Sequence, residues 1–118
     1  MTLVDTSIWV DHLRKGSPPL ENLLQGKQVL THPWVIGELA GGMIKNRNEI
    51  LALLQALPEA QVAEYHEVLA FIESQKLIGL GLGWVDVNLL ASAQLTGCNI
   101  WTGDISLQNS ASKLHLSS

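Results

Sequence analysis

The sequence contains a single cysteine, Cys98, among its 118 residues. One thiol excludes both an internal disulfide and a zinc site built from several thiolates, and it suits a reducing compartment. The N-terminal stretch has no basic segment before its apolar residues, and no apolar run approaches the roughly 18 residues of a membrane-spanning helix. We therefore expect a cytoplasmic protein that does not enter a membrane.

Positive charge is also scarce, because 7 Lys and Arg residues stand against 11 Asp and Glu residues, for a net charge of −4. This balance argues against a protein that holds nucleic acid chiefly through a broad basic surface. A nucleic-acid enzyme is still compatible with it, since carboxylates that bind a divalent cation do not repel phosphate once the ion is bound.

The chain carries 47% hydrophobic and 15% charged residues and shows no internal repeat or low-complexity tract. These features predict one globular domain over residues 1–118 with a single hydrophobic core. The stretch "GLGLG" lacks the spacing of phosphate-binding glycine loops, and the four histidines have no metal-ligand spacing. We therefore interpret the glycines as a connection and the histidines as isolated residues.

Short apolar strands alternate with amphipathic helices along the chain, which favours an α/β fold with a parallel sheet. Ser17 is expected to cap a helix that ends before Gly26, Asn46 and Glu49 are expected to form a capping box, and Gly97 is expected to end a helix. The predicted strands are residues 2–5, "KQVLTH", "AQVAE", "CNIWT" and "LHL". The predicted helices are "SIWVDHL", "SPPLENLLQG", "PWVIGELAGGM", "NRNEILALLQAL", "EYHEVLAFIESQKL", "WVDVNLLASAQLTG" and "DISLQNSASKL".

Four acidic residues lie at strand ends or in apolar helices, where they could have a functional role as well as a role on the surface. Asp5 ends the first strand, and Asp104 follows the "CNIWT" strand by two residues, so both lie where parallel strands place functional groups. Glu38 interrupts the apolar helix "PWVIGELAGG", and Asp86 falls in the first turn of "WVDVNLLASAQL". Each alone is compatible with a helix cap or a solvated side chain.

A shared site for these acids would require a cation or protons, because two carboxylates about 4–5 Å apart repel by roughly 3–4 kcal/mol at an effective dielectric constant of about 20. Carboxylate oxygens without cysteine or paired histidines select Mg²⁺ or Mn²⁺ over zinc. A carboxylate-held Mg²⁺ that keeps several waters is suited to phosphate chemistry. The four acids therefore suggest a metal-dependent enzyme that carries out phosphate chemistry.

The stretches "LVDTSIWV", "VIGEL", "GWVDVNLLASAQL" and "IWTGDISL" together resemble the PIN-domain ribonucleases, specifically the VapC-type toxins of toxin–antitoxin pairs. The resemblance spans nearly the whole chain. It implies a three-layer fold in which a parallel five-stranded sheet, in the order 3-2-1-4-5, carries helices on both faces. It also implies which residues form the site: Asp5, Glu38, Asp86 and Asp104 as catalytic and metal-binding acids, Glu38 directly or through water, with Thr6, Ser7 and Thr102 as hydroxyls that orient carboxylates and water.

The same resemblance implies an Mg²⁺- or Mn²⁺-dependent endoribonuclease that leaves 5′-phosphate and 3′-hydroxyl ends. Its expected partners are RNA, a second copy of the chain, and a small antitoxin that places a basic residue at the acidic site.

Two alternatives are kept open. One is a phosphatase of the haloacid dehalogenase type with Asp5 as nucleophile, although that chemistry expects an acid where the chain has Ser7. The other is a non-catalytic interaction module whose acids neutralise a partner's arginines.

Overall fold

The first apolar run forms the central strand of a parallel sheet in the computed structural model, which describes residues 1–118. Strand β1 (Thr2–Val4) is buried along its whole length. Strand β2 (Val29–Leu30) pairs with it on one side and strand β3 (Asn99–Trp101) on the other, so the order is β2-β1-β3. Because all three strands run in the same direction, their carboxyl ends meet at one edge of the sheet.

Seven helices connect and flank these strands. Among them, α6 supplies seven consecutive buried residues, from Val87 to Ala93, so this middle part of the helix is buried on all sides. A helical stretch buried in this way is held by packing on every side. None of the helices combines the length and apolar character that crossing a bilayer requires. The helices are α1 (Thr6–Lys15), α2 (Pro18–Gln25), α3 (Pro33–Ala40), α4 (Arg47–Gln55), α5 (Tyr65–Ser74), α6 (Trp84–Thr96) and α7 (Ile105–Lys113).

The expected five-stranded sheet is wrong in strand number, and the predicted third strand "AQVAE" does not form. On the outer side of β2 there is one bridge, in which the Thr31 N–H donates to the Pro58 carbonyl (2.9 Å) and the Ala60 N–H donates to the Thr31 carbonyl (2.9 Å). The chain reaches the first residue of α5, Tyr65, soon afterwards. A proline that cannot donate and a short connection leave no room for a longer ladder.

The predicted last strand "LHL" is likewise reduced to one bridge. The Ile100 N–H donates to the Leu116 carbonyl (2.7 Å), and the Ser118 N–H donates to the Ile100 carbonyl (3.0 Å). Because α7 extends to Lys113 and Leu114 is its C-cap, the predicted strand begins at the end of a helix. The two bridges flank the three strands on the sides where the outer strands were expected.

Local capping signals were partly correct. The Ser17 hydroxyl accepts a hydrogen bond from the Leu20 N–H (3.4 Å) at the start of α2, and Gly97 ends α6 with a φ of 77°. The capping box at Asn46 is wrong: this residue has a φ of 53° and its side chain makes no cap hydrogen bond. A side-chain cap normally requires an extended backbone at that position, which a left-handed residue does not provide.

One cluster of 23 buried hydrophobic residues forms the interior. It includes Leu3 and Val4 of β1 and Ile100 of β3, together with Leu89 and Leu90 of α6, and all five are fully or almost fully buried. The sheet edge next to Val4 therefore rests on a packed core, and groups attached at that edge have little freedom to move.

Candidate active site at the carboxyl edge of the sheet

Asp5 follows directly after β1 and is only 7% exposed. Its backbone N–H donates to the Trp101 carbonyl (3.0 Å), which ties the residue to β3. Its side chain does not cap α1, although it stands at the N-cap position. Instead, Oδ2 accepts hydrogen bonds from Thr102 Oγ1 (2.7 Å) and Ser7 Oγ (3.0 Å). The carboxylate is thus oriented by two hydroxyls, and both of these bonds leave Oδ1 free.

The two hydroxyls also connect Asp5 to the loop after β3. Thr102 Oγ1 accepts from the Asp104 N–H (3.0 Å), and Ser7 Oγ accepts from the Gly103 N–H (2.9 Å). Each hydroxyl has one proton, and each donates it to Asp5. The contact of 3.5 Å between the two hydroxyl oxygens therefore carries no proton of its own. This network joins Asp5, at the end of β1, to the loop that follows β3.

Glu38 projects from α3 and is exposed. Its Oε1 accepts a hydrogen bond of 2.6 Å from Thr6 Oγ1, the hydroxyl of the first residue of α1. The apolar residues that precede and follow Glu38 in the sequence therefore belong to its helix, and they do not enclose its carboxylate. The bond brings Glu38 to the residue next to Asp5.

Asp86 is half-buried in the first turn of α6, where its Oδ2 accepts a hydrogen bond from the Gly83 N–H (2.9 Å). Burial raises the pKa of Asp86, and the Gly83 hydrogen bond partly opposes this effect. The negative charges of Asp104, Asp5 and Glu38 raise the same pKa further. Asp86 is therefore within electrostatic reach of the other three acids.

Asp104 is exposed and stands at the N-cap of α7, where its Oδ1 accepts a hydrogen bond from the Leu107 N–H (2.8 Å). This residue has the structural role of a helix cap. The cap bond engages Oδ1 and leaves Oδ2 without a protein hydrogen-bond donor.

The four acids lie near one another without a basic partner, because the one ion pair within 4.0 Å in the structure joins His66 and Glu64. As the side chains stand, no three of them converge closely enough to ligate one ion. The available donors are hard oxygens that could supply part of a coordination shell. This arrangement fits a divalent ion that keeps several waters, such as Mg²⁺, and does not fit an ion enclosed by protein ligands.

His32 links two of the helices that carry acids, α3 and α6. From the sequence alone, this histidine was expected to be an isolated residue. His32 is fully buried at the N-cap of α3, where Nδ1 accepts from the Trp34 N–H (3.1 Å). The ring proton is therefore on Nε2, which donates to Ser92 Oγ of α6 (2.9 Å). Burial lowers the pKa of His32 from 6.5 to about 4, so the ring is neutral at pH 7. The sequence signal for this role was the position of His32 directly before the proline that starts a helix.

Comparison with known proteins identifies the family of this chain. Residues 2–113 match the PIN domain family. The chain is also 46% identical over 105 residues to Ribonuclease VapC32 from two strains of Mycobacterium tuberculosis, an alignment that covers 88% of this chain and 85% of the relative. The chain therefore belongs to the PIN-domain family and, within it, to the VapC-type ribonucleases.

Proposed function

We propose that this protein is an endoribonuclease that depends on a divalent metal ion and acts as the toxin of a toxin–antitoxin pair. The observation that carries the proposal is the buried Asp5 carboxylate, which two hydroxyls orient beside three further acids with no basic side chain paired to any of them. Membership of the VapC-type ribonucleases supports RNA as the substrate.

Asp5, Asp86 and Asp104 are proposed to hold the ion, and Glu38 to contact it directly or through water. When bound, Mg²⁺ or Mn²⁺ would lower the pKa of a bound water and stabilise negative charge on the phosphodiester. Thr102 and Ser7 fix the direction of the Asp5 carboxylate, and Thr6 fixes that of Glu38. The protein would contribute orientation, since carboxylates held by hydrogen bonds need little rearrangement before reaction.

The expected partners follow from the same family membership. They are a second copy of the chain and a small antitoxin that inserts Arg or Lys among the acids. A guanidinium or ammonium group can satisfy carboxylates that lack a cation, because charge-assisted hydrogen bonds are among the strongest in proteins. Antitoxin binding would then compete with metal binding at the same oxygens.

The proposal is tested by incubating purified protein with single-stranded RNA and Mg²⁺ or Mn²⁺. Cleavage with 5′-phosphate and 3′-hydroxyl ends is expected, and EDTA should abolish it. Asp5→Asn should reduce cleavage by at least about 10²-fold. Asp11→Asn is the matched control, because Asp11 is exposed on α1 and its replacement changes the net charge equally.

Two results would contradict the proposal. Cleavage that persists in EDTA would indicate metal-independent acid–base chemistry. Hydrolysis of a small phosphate monoester without cleavage of RNA would instead support a phosphatase with Asp5 as nucleophile. For the toxin role, expression of the chain alone should arrest growth, and the Asp5→Asn variant should not.

A further inference from the structure

A cleft adjoins the acidic cluster. It has a volume of about 690 Å³ and lies between α1, α3, the segment 41–46 and the start of α4. Thr6 and Glu38, which are hydrogen-bonded to each other, both line it. The cleft is therefore continuous with the proposed site and begins at one of its acids.

Two basic side chains line the same cleft, Arg14 of α1 and Lys45 of the segment 41–46. Both are exposed, and neither lies within 4.0 Å of a carboxylate. The nearby Arg47 differs, because its Nε and Nη2 both donate to the Ala40 carbonyl (3.0 and 2.9 Å). Arg14 and Lys45 are thus cations available to a ligand.

The position of these cations is informative because the chain has only 7 Lys and Arg residues and a net charge of −4. A polyanion is repelled by most of such a surface and is attracted where unpaired cations are concentrated. The cleft also presents apolar surface: Met43 is fully exposed and Val10 is 37% exposed. Phosphates and bases of a flexible strand could each find suitable groups there.

We propose that this cleft binds the part of a single-stranded RNA that flanks the scissile phosphate, with Arg14 and Lys45 contacting backbone phosphates and Met43 and Val10 packing against bases. This inference rests on the proposed ribonuclease function and extends it from the acids to the path of the substrate. Because phosphate contacts carry no sequence information, these two cations would contribute affinity and position more than sequence preference.

The test compares Arg14→Gln/Lys45→Gln with the control Lys27→Gln/Lys113→Gln, whose residues are also exposed but lie outside the cleft. Each double variant removes two positive charges and takes the net charge from −4 to −6. Binding of a fluorescein-labelled single-stranded RNA is measured by anisotropy over a series of salt concentrations in EDTA, and cleavage kinetics are measured in Mg²⁺.

The cleft variant should bind RNA about 2- to 30-fold more weakly than wild type at low salt. Its plot of log Kd against log salt concentration should be shallower by about 1.4, since each lost phosphate contact removes about 0.7 from the slope for a single strand. In cleavage, KM should rise and kcat should stay close to the wild-type value. The control variant should show neither a shallower slope nor the same rise in KM.

A cleft variant that binds RNA with wild-type affinity and slope, while wild-type protein cleaves RNA in Mg²⁺, would overturn the cleft assignment and leave the proposed function intact. The cleft would then serve another occupant, such as a protein segment. Equal weakening in the cleft and control variants would also overturn it, because it would reflect net charge alone. Wild-type protein that neither binds nor cleaves RNA would refute both proposals.

Discussion

Replacing Thr102 by valine tests whether the hydroxyl network, and not only the acids, organises the site. Valine keeps the size and β-branching of threonine but removes Oγ1, which donates to Asp5 Oδ2 at 2.7 Å and accepts from the Asp104 N–H at 3.0 Å. Thr102 and Asp5 are 8% and 7% exposed, so water has little access to replace the lost donor. Thr102→Val should therefore cost both stability and activity.

The stability loss follows from these contacts. A hydrogen bond to a charged group contributes about 1.5–3 kcal/mol, and the Asp104 N–H adds little because that exposed residue can bond to water. We expect the free energy of unfolding to fall by about 2–3 kcal/mol. At roughly 3–6 °C per kcal/mol for a protein of this size, Tm should fall by about 10 °C.

Thr102→Val should reduce activity more than replacement of a residue that only packs in the core. Without Thr102 Oγ1, only Ser7 Oγ orients the Asp5 carboxylate. Loss of a group that orients a metal ligand typically costs about 10- to 100-fold in metal affinity or activity. Urea unfolding measures the stability, and thermal shift in increasing Mg²⁺ together with RNA cleavage measures the function.

Thr102→Ser is the matched control, because it keeps the hydroxyl and removes one methyl group at a cost of about 0.8 kcal/mol. It should retain most of the cleavage and of the Mg²⁺ response. If valine and serine variants cleave RNA equally well and respond equally to Mg²⁺, the hydroxyl does not position Asp5 for function and the reasoning is refuted.

Three further outcomes are expected from the same structure. Burial and the neighbouring acids raise the pKa of Asp86 above its ordinary value of 3.8. Over the pH range in which Asp86 ionises, the folded state therefore binds more protons than the unfolded state, and the free energy of unfolding falls as pH rises. Asp86→Asn retains an acceptor for the Gly83 N–H but cannot ionise. Measured by urea unfolding, the stability of this variant relative to wild type should increase from acid to neutral pH. A difference in stability that does not change with pH would contradict this. Burial lowers the pKa of His32 from 6.5 to about 4, so the unfolded state takes up a proton first, and stability should fall by about 3 kcal/mol as pH drops through that range. In the His32→Gln variant, the free energy of unfolding should fall less over this pH range than it does in wild type. If it falls by the same amount, groups other than His32 cause the loss. Mg²⁺ should raise the Tm of wild type more than that of Asp5→Asn, and equal shifts would show that Asp5 does not bind the ion.

Local sequence patterns predicted much of the order of elements and the positions of the candidate acids. The Ser17 cap and the Gly97 helix end depend on residues within one helical turn, and the structure contains both. Asp5 and Asp104 could be placed at the sheet edge because each follows an apolar strand closely. Such features are determined by residues adjacent in the chain, so periodicity and capping chemistry are sufficient to find them.

The outer strands depended on information that local patterns do not contain. "AQVAE" has the composition of a strand, yet it forms none, and the one bridge on this side lies just before it, at Glu59. Pairing requires a partner edge and enough chain before the next helix. The capping box at Asn46 failed for a related reason: the turn that precedes α4 gives this residue a positive φ, which the sequence alone did not reveal.

The sequence by itself therefore determined the order of elements and which acids stand next to strand ends and helix starts. Tertiary structure decided how those acids are held and what surrounds them. Thr102 and Asp5 are 97 positions apart in the chain, and His32 and Ser92 are 60 apart. Their hydrogen bonds, and the cleft shared by Arg14 and Lys45, exist only because the core packs the sheet and helices in one arrangement, which long-range burial and not local propensity specifies.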